Sequence, residues 1–571
     1  MGRKIRLLLL FTAIFSMLLI EMVFAASSQP MAAKKGGKNI KIKLEMGMST
    51  LWENGSGVHM FSVSEVKNSL GNDVSDVTVV SGNAINRTYK KNGRRCLNRF
   101  GDYFSAEKIG ENTYGIIFSV GEEELSELTA EDLSGYVNFE AVSKNGEKVT
   151  VPVAITVSVG TRDIYVDKKK GSDSNLGGKF APFKTIQKAL DTVLAGQTVY
   201  VHKGTYIGAN QFKSSGRYGS PITLKAVEGE RVKLKAKKSE RSCILDLNGK
   251  SNIRIEGLEL CSTKGNEAYG ILMENCEHDI VISGNKIHHI SAVRKSNYGG
   301  DANAILCFGD ADTDADSIHD IVIENNEVYR INPGWSEAIS VAGNARDVII
   351  RNNKVHHIKN IGIDVCGNFS YSSDKVLDQP RNCEVYGNTT YRCRSPYAAC
   401  AGIYVDGARD IKVHDNVTYA NQYGIEIGAE QPVTGYPTKN IEVYNNEIRD
   451  NLICGIRVGG YFDKSIETGT VENTVFRNNT LKNNNIKKNL YNGEIIIAKC
   501  SEIAFTDNTF YKKMYQNKRG ELYPIISTDF ETDEDESKYI NNITFTGNKI
   551  VKGADGQIED MEDDWTAYLE Q

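Results

Sequence analysis

Asp364 in GIDVC, Glu426 in GIEIG and Arg457 in GIRVG stand at the same place of one repeated phrase, and Asp406 stands two residues further along in GIYVD. A pair of carboxyls is what glycosidic bond cleavage requires, one to protonate the leaving oxygen and one to attack or to activate water. The carboxyls lie roughly 5 to 5.5 Å apart in retaining chemistry and roughly 6.5 to 9.5 Å apart in inverting chemistry. Asp406 and Glu426 are the first candidates for that pair, and Asp364 is a competing acid. Arg457 is the candidate base for the rival chemistry, β-elimination on a uronate, which also needs the substrate carboxylate neutralised, usually by calcium. Lys499 lies beyond it but shifted along its strand, and SEAISVAGN carries Ala342 where a lyase would favour lysine. Aromatic side chains suited to cover a sugar face are Tyr404, Tyr423, Tyr461 and Trp335, with Glu337 and Glu430 as further substrate contacts.

Calcium has one separate hint in GDADTDADS, where Asp310, Asp312, Asp314 and Asp316 alternate. It is not an EF-hand, because Ala315 and Ile321 replace the glycine and the glutamate that such a loop needs, so a solvated acidic loop is favoured slightly over a calcium site. Hydrolysis by a carboxyl pair needs no cofactor. The pairs His288/His289 and His356/His357 resemble metal ligands, but strand neighbours point to opposite faces and the two pairs are two repeats apart. The column His288, Tyr329, His356, Tyr391 and Tyr419 reads as cross-strand packing, with sugar stacking as the alternative.

These residues share a flank only if the repeats that carry them stack. The phrases GILME, AILCF, AISVA, GIDVC, GIYVD, GIEIG, GIRVG and EIIIA alternate apolar and other residues, so their isoleucines and valines point inward and the residues between point outward. Read across repeats, the outward column is Leu272, Leu306, Ser340, Asp364, Tyr404, Glu426, Arg457 and Ile496. The next is Glu274, Phe308, Ala342, Cys366, Asp406, Gly428, Gly459 and Ala498, whose small members leave room around Asp406. The alternative is that these carboxylates only solvate an exposed strand face.

A second phrase ends in asparagine: Asn285, Asn326, Asn353, Asn388, Asn416, Asn446, Asn479, Asn508 and Asn548. Gaps of this size fit a solenoid in which one repeat is one coil. Asparagine tolerates a left-handed turn, and its amide can bond to the same amide in adjacent coils. An exposed end of such a stack needs a cover, and TIQKAL supplies it: Thr185 caps a helix with Ile186, Ala189, Leu190, Val193 and Leu194 on one stripe, ended by Gly196.

From Tyr165 to about Gly553 the chain resembles the right-handed parallel β-helix, or pectate-lyase-like, superfamily. The opening stretch YVDKKKGSDSNLGGKFAPFKTIQKAL and the motif HKGTY from His202 resemble the start of many extracellular polysaccharide lyases and glycosidases. The resemblance implies the fold and a polysaccharide or oligosaccharide substrate, while the superfamily also includes epimerases and non-catalytic fibres. GIYVD followed one coil later by GIEI is similar to the catalytic strands of the β-helical glycoside hydrolase family 120, the β-xylosidases. That match implies Asp406 as nucleophile and Glu426 as acid/base, although IGAEQP after Glu426 departs from the family pattern. The aspartate-and-lysine signatures of family 9 pectate lyases are absent.

The expected fold is all-β: a right-handed parallel β-helix solenoid over residues 161–553 with a capping helix, preceded by a β-sandwich (Ig-like) domain over 39–160. Pro152, which cannot donate to a ladder, places the last sandwich strand at an edge or a bulge. Residues 1–25 read as a signal peptide, with Arg3, Lys4 and Arg6 before an apolar run from Leu7 to Leu19 and a cleavage site at Val23–Ala25; residues 26–38 are a linker. A secreted chain with no membrane span is expected, an uncleaved anchor being the alternative. The tail 554–571 is acidic, with Trp565 and Tyr568 closing the last coil.

The formal charge of -5 on 571 residues, without a basic block, argues against a nucleic-acid partner. Eleven cysteines lack metal-type spacing, and Cys393 and Cys400 flank a loop short enough to bridge. The chain is expected to act as a monomer. Three functions remain open: a glycoside hydrolase, a calcium-dependent polysaccharide lyase, and a glycan-binding or adhesin rod that cleaves nothing.

Overall fold

A computed structural model describes the chain from 163 to 564 except for 174–176, 178–181, 294–299, 397, 462–466, 490, 513–523, 530–538 and 553–556, together with Thr566 and the backbone of the strands within 40–160. The chain divides into two compact units, the first containing residues 1–164 and two short segments before 198, the second 165–171, 184–191 and all of 198–571. The expected signal peptide and linker, Trp565 and Tyr568 lie outside the described residues, as does the side chain of Cys96.

In the first unit, Ile40–Gly47, Lys148–Gly160, Ser134–Ser143 and Val74–Ile85 form one sheet in that order, and Ser56–Ser62, Thr113–Ser119 and Phe104–Gly110 form another. The strand that carries Pro152 is internal, not at an edge. Its pairing with Ile40–Gly47 starts at Val153, so the proline stands just before the ladder that would have needed its missing N–H. How the two sheets pack concerns side chains outside the described residues.

The second unit is a parallel solenoid of three sheets, with 13, 13 and 11 strands. The third holds the repeated phrase: Ile339–Gly343, Ile363–Cys366, Ala401–Asp406, Tyr423–Gly428 and Cys454–Val458 are consecutive neighbours in it. Ile363, Val365, Ile403, Val405, Ile425, Ile427, Ile456 and Val458 are all fully buried, so the period-two alternation does fill the coil. The register is the expected one: Ser340 pairs with Asp364, Asp364 with Tyr404, Tyr404 with Glu426, and Glu426 with Arg457.

The asparagine ladder runs unbroken from Asn285 to Asn548. Asn416, for example, donates from its backbone N and its Nδ2 to Oδ1 of Asn446, both at 3.0 Å, and from Nδ2 to the carbonyl of Val385 at 2.8 Å. The left-handed residue, however, is not the ladder asparagine but the one before it, such as Asn325, Asn352, Asp415 or Asn445 with φ of 53 to 56°. A second ladder, Asn421, Asn451 and Asn484, ends on the carboxylate of Glu494.

At the start of the solenoid Thr185 Oγ1 accepts the N–H of Lys188 at 3.2 Å, capping the helix Ile186–Thr192. The helix stops short of Val193 and Leu194. Gln187 binds Gln211 of the first strand of the third sheet, its Oε1 accepting the Gln211 N–H at 2.8 Å, which holds the helix over the first coil. At the other end Gln557–Asp560 pairs antiparallel with Lys549–Lys552, reversing the chain direction and so closing the parallel progression. Among the described residues no helix is long and apolar enough to cross a membrane.

The histidine pairs depart from expectation. His289 and His357 take φ of 56°, which breaks the strand alternation and turns each ring onto its neighbour. The Nδ1 atoms of His356 and His357 lie 2.7 Å apart, and Arg392 donates to Nε2 of His357 at 2.9 Å. If His357 is neutral, its Nδ1 must then carry the proton and donate to His356. The aromatic column is continuous, with ring centroids of Tyr329 and His356 5.2 Å apart and of Tyr391 and Tyr419 4.9 Å apart. Arg449 covers its end, 4.3 Å from the Tyr419 ring. The ten described cysteines are all free thiols, Cys393 and Cys400 included; Cys400 Sγ donates to Gln422 instead.

Candidate functional site

The outward face of the third sheet is not open. Asp364, Tyr404, Asp406, Glu426 and Arg457 are each 0 to 2% exposed, so they neither solvate a strand face nor line an empty cleft. The room that Gly428 leaves beside Asp406 is filled: a Cβ there would fall 2.5 Å from the Tyr404 hydroxyl, so the tyrosine ring lies across the glycine of the next coil. Tyr423 is also buried, whereas Trp335 is 44% exposed. Glu337, Glu430 and Tyr461 are partly exposed, and through them the cluster meets solvent.

Glu426, Arg457 and Asp406 are held by named partners. Tyr461 donates to Oε1 of Glu426 at 2.6 Å, and Arg457 Nη1 lies 3.4 Å from the same oxygen. The guanidinium also donates to the carbonyls of Gly459 and Gly460 and to Asp529, at 2.9, 3.2 and 3.0 Å, and its carbon lies 4.0 Å from the centre of the Tyr461 ring. Asp406 Oδ1 accepts the backbone N–H of Glu430 at 2.8 Å. Three polar atoms here are buried without a hydrogen-bond partner: Asp364 Oδ1, Tyr404 Oη and Glu426 Oε2.

The charge balance is strongly unequal. Asp364, Asp406, Glu426, Glu337 and Glu430 are carboxyls that raise one another's proton affinity, and Arg457 is the cation set against them. Burial, followed by the charge of Glu430, pushes the Asp406 carboxyl well above its usual range; Asp364 is raised by burial and then by Glu337 and Asp406. Burial raises Glu426 to about 7 although Arg457 and the Tyr461 hydroxyl pull it down. Glu337 reaches about 8, again through burial and then through its neighbours Glu430 and Asp301. Carboxylic acids therefore persist here at neutral pH.

The acidic loop is not gathered into a site. Asp312 accepts from Ser372 and Ser373, Asp314 is engaged by Arg381, and Asp316 takes the Thr313 hydroxyl, so these carboxylates serve different partners. The alternating aspartates face apart because they staple neighbouring loops. What the sequence did not point to is Cys366 beside Asp364 and Glu337: ligand atoms of these three lie within 4.8 Å of one another. Glu259, Cys261 and His288 form a similar group on the second sheet, where Glu259 is already paired with Arg231 and Lys233. A groove of about 340 Å³ lined by Val376, Gln379, Arg409, Asp410, Tyr436 and Asn440 shares no residue with the carboxyl cluster.

Residues 164–320 match the family described as Pel9A-like, right-handed β-helix region, and residues 365–551 match the family described as periplasmic copper-binding protein (NosD). The uncharacterized protein YwoF of Bacillus subtilis (strain 168) is 31% identical over 399 residues, which are 67% of this chain and 80% of YwoF. Pectate lyase PEL9 of Emericella nidulans is 40% identical over 89 residues, 15% of this chain and 22% of that protein. Among solved structures, the A-module of the Azotobacter vinelandii mannuronan C-5 epimerase AlgE4 aligns over 68% of this chain and 97% of its own, with 15% identity and a TM-score of 0.43.

Proposed function

The chain belongs to the right-handed parallel β-helix, pectate-lyase-like superfamily, and from its carboxyl cluster we propose that it is an exported carbohydrate-active enzyme that cleaves glycosidic bonds. The observation that carries this reading is Glu426: a buried carboxyl whose proton affinity is raised to about 7, held by Tyr461 and Arg457, one coil from Asp406. A carboxylic acid of that strength is matched to protonating a leaving oxygen near neutral pH, and Asp406 would be its nucleophilic or basic partner only after giving up the proton that burial and Glu430 hold on it. Glu430 and Tyr461, both partly exposed, flank the buried pair, so they are the side chains that must move aside for a sugar to reach it.

Elimination is disfavoured by the state of its candidate base. Arg457 is 1% exposed, bonded to two carboxylates and two carbonyls, and its proton affinity is raised, all of which oppose giving up a proton. Lys499 donates to the carbonyl of Thr468.

The test is a panel of neutral and acidic glycans offered to the full-length secreted protein, with reducing ends and ultraviolet absorbance both read. Hydrolysis predicts new reducing ends without an absorbing product, and a fall in kcat of about 10² to 10⁴ for Asp406→Asn and for Glu426→Gln. An absorbing unsaturated product would replace the reading with elimination. Glycan binding without any cleavage would leave an adhesin rod.

A further inference from the structure

We infer that Glu337, Asp364 and Cys366 form a binding site for a divalent transition-metal ion of the zinc type, held by two carboxylates and a thiolate. The inference does not rest on the hydrolytic reading, since it uses neither Asp406 nor Glu426 as a ligand.

The geometry is the first argument. Asp364 and Cys366 are alternate residues of one strand, so both side chains leave the same face of the sheet, and Glu337 precedes the strand one coil earlier. Their ligand atoms already lie within 4.8 Å of one another. Zinc with bonds of about 2.3 Å to sulfur and about 2.0 to 2.2 Å to oxygen holds tetrahedral ligands roughly 3.6 Å apart, so modest side-chain rotation closes the set.

Asp364 Oδ1 is the second, independent observation. The side chain is buried, 2% exposed, and this oxygen has no hydrogen-bond partner. An unpaired buried carboxylate oxygen is expensive, and a cation held by the three ligands removes that cost. A proton shared with a neighbouring carboxyl is the competing answer, but Asp364 Oδ1 has no hydrogen-bond partner within reach.

The donor set selects the ion. Calcium and magnesium take oxygen ligands, whereas a thiolate favours zinc and its neighbours in the transition series. Cys366 is 6% exposed and Ser340 Oγ lies 3.8 Å from its sulfur, a hydroxyl placed to steady a metal-bound thiolate from the coil before. Glu337 is partly exposed and is the one of the three ligands that meets solvent.

The test uses the full-length protein after chelator treatment, titrated with Zn2+, Co2+ and Ca2+. The expected result is one equivalent of Zn2+, and a near-ultraviolet thiolate-to-metal absorption with Co2+. Asp364→Asn should weaken Zn2+ binding by at least about 10-fold, and Cys366→Ser should abolish the Co2+ band. Cys261→Ser should change neither, which separates this site from the group on the second sheet. Thermal unfolding of each metal-free variant verifies folding, and should Cys366→Ser not fold, Cys366→Ala replaces it. Binding that survives both Asp364→Asn and Cys366→Ser, a band that moves with Cys261→Ser, preference for Ca2+, or no bound equivalent at all would each overturn the assignment.

Discussion

Arg457 and Glu426 stand opposite each other in adjacent coils, 3.4 Å apart, with both side chains 1% exposed. Burying this pair costs desolvation on both sides, and the guanidinium recovers it through the carbonyls of Gly459 and Gly460 and through Asp529. The acid of the site thus owes its strength to two opposed effects, burial that favours its proton and a locked cation that limits it.

Stability should fall as pH rises across neutrality. The carboxyl of Glu426 is raised from 4.5 to about 7 on folding, so the folded chain holds that proton more tightly than the unfolded one. The benefit is complete below the unfolded value and is lost as pH climbs through the folded one, at most about 3 kcal/mol for this group. Asp364 and Asp406 shift in the same direction and steepen the slope. Denaturant melts between about pH 5 and pH 8 should show the decline, and Glu426→Gln should flatten it. An unchanged slope in the variant would refute the assignment of a raised value to Glu426.

Removing the phenol of Tyr461 should move the pH profile of turnover. Its hydroxyl donates to Glu426 at 2.6 Å and so favours the ionised form. In Tyr461→Phe the alkaline limb of kcat should shift upward by about one to two pH units, since a hydrogen bond to a charged group contributes about 1.5 to 3 kcal/mol. A uniform loss of activity with an unmoved limb would mean that Tyr461 only packs.

Gly428→Ala should disturb the site through Tyr404. The added Cβ would lie 2.5 Å from the hydroxyl and 2.7 Å from a ring carbon, which forces the ring aside at a cost of about 1 to 3 kcal/mol. Pairing it with Tyr404→Ala should recover part of that cost, a coupling readable in a double-mutant cycle of unfolding free energies. Strict additivity would show that the two residues do not press on each other.

Asn416→Ala should be among the most destabilising single changes on the solenoid. It leaves Asn388 N–H and Nδ2, the carbonyl of Val385 and Oδ1 of Asn446 short of partners in the interior. On the order of 3 to 5 kcal/mol is expected from several unsatisfied buried groups, visible as a lowered midpoint in chemical unfolding. A loss below about 1 kcal/mol would mean that water replaces the amide.

The stack was legible because two local rules repeat without exception along it. Alternating isoleucine and valine set which side chains enter the coil, and the asparagine phrase marks the turn, so the columns through Asp364, Tyr404, Glu426 and Arg457 follow from counting. Burial of that face was not legible, because it depends on what lies over it: Tyr404 lying on Gly428, and Tyr461 and Asp529 closing over Arg457 from segments distant in sequence. The second ladder had a signal that went unread, an asparagine five residues after the first at Asn421, Asn451 and Asn484.

The remaining errors share a cause, local backbone conformation. Counting faces along KIHHI and KVHHI fails where His289 and His357 enter the left-handed region, and the ladder asparagines leave that conformation to their predecessors. Alternating aspartates in GDADTDADS looked like one ligand set, yet Asp312 and Asp314 reach to Ser372 and Arg381, more than fifty residues away. Spacing reports a shared ion only when the chain closes on itself.

The coils differ in length while their ladders stay in register, so the surplus residues are confined to connections such as those holding Asp378, Glu430 and Tyr461. Framework and chemistry therefore answer to separate constraints. A connection on this flank can differ in length from coil to coil without shifting the strands beneath it.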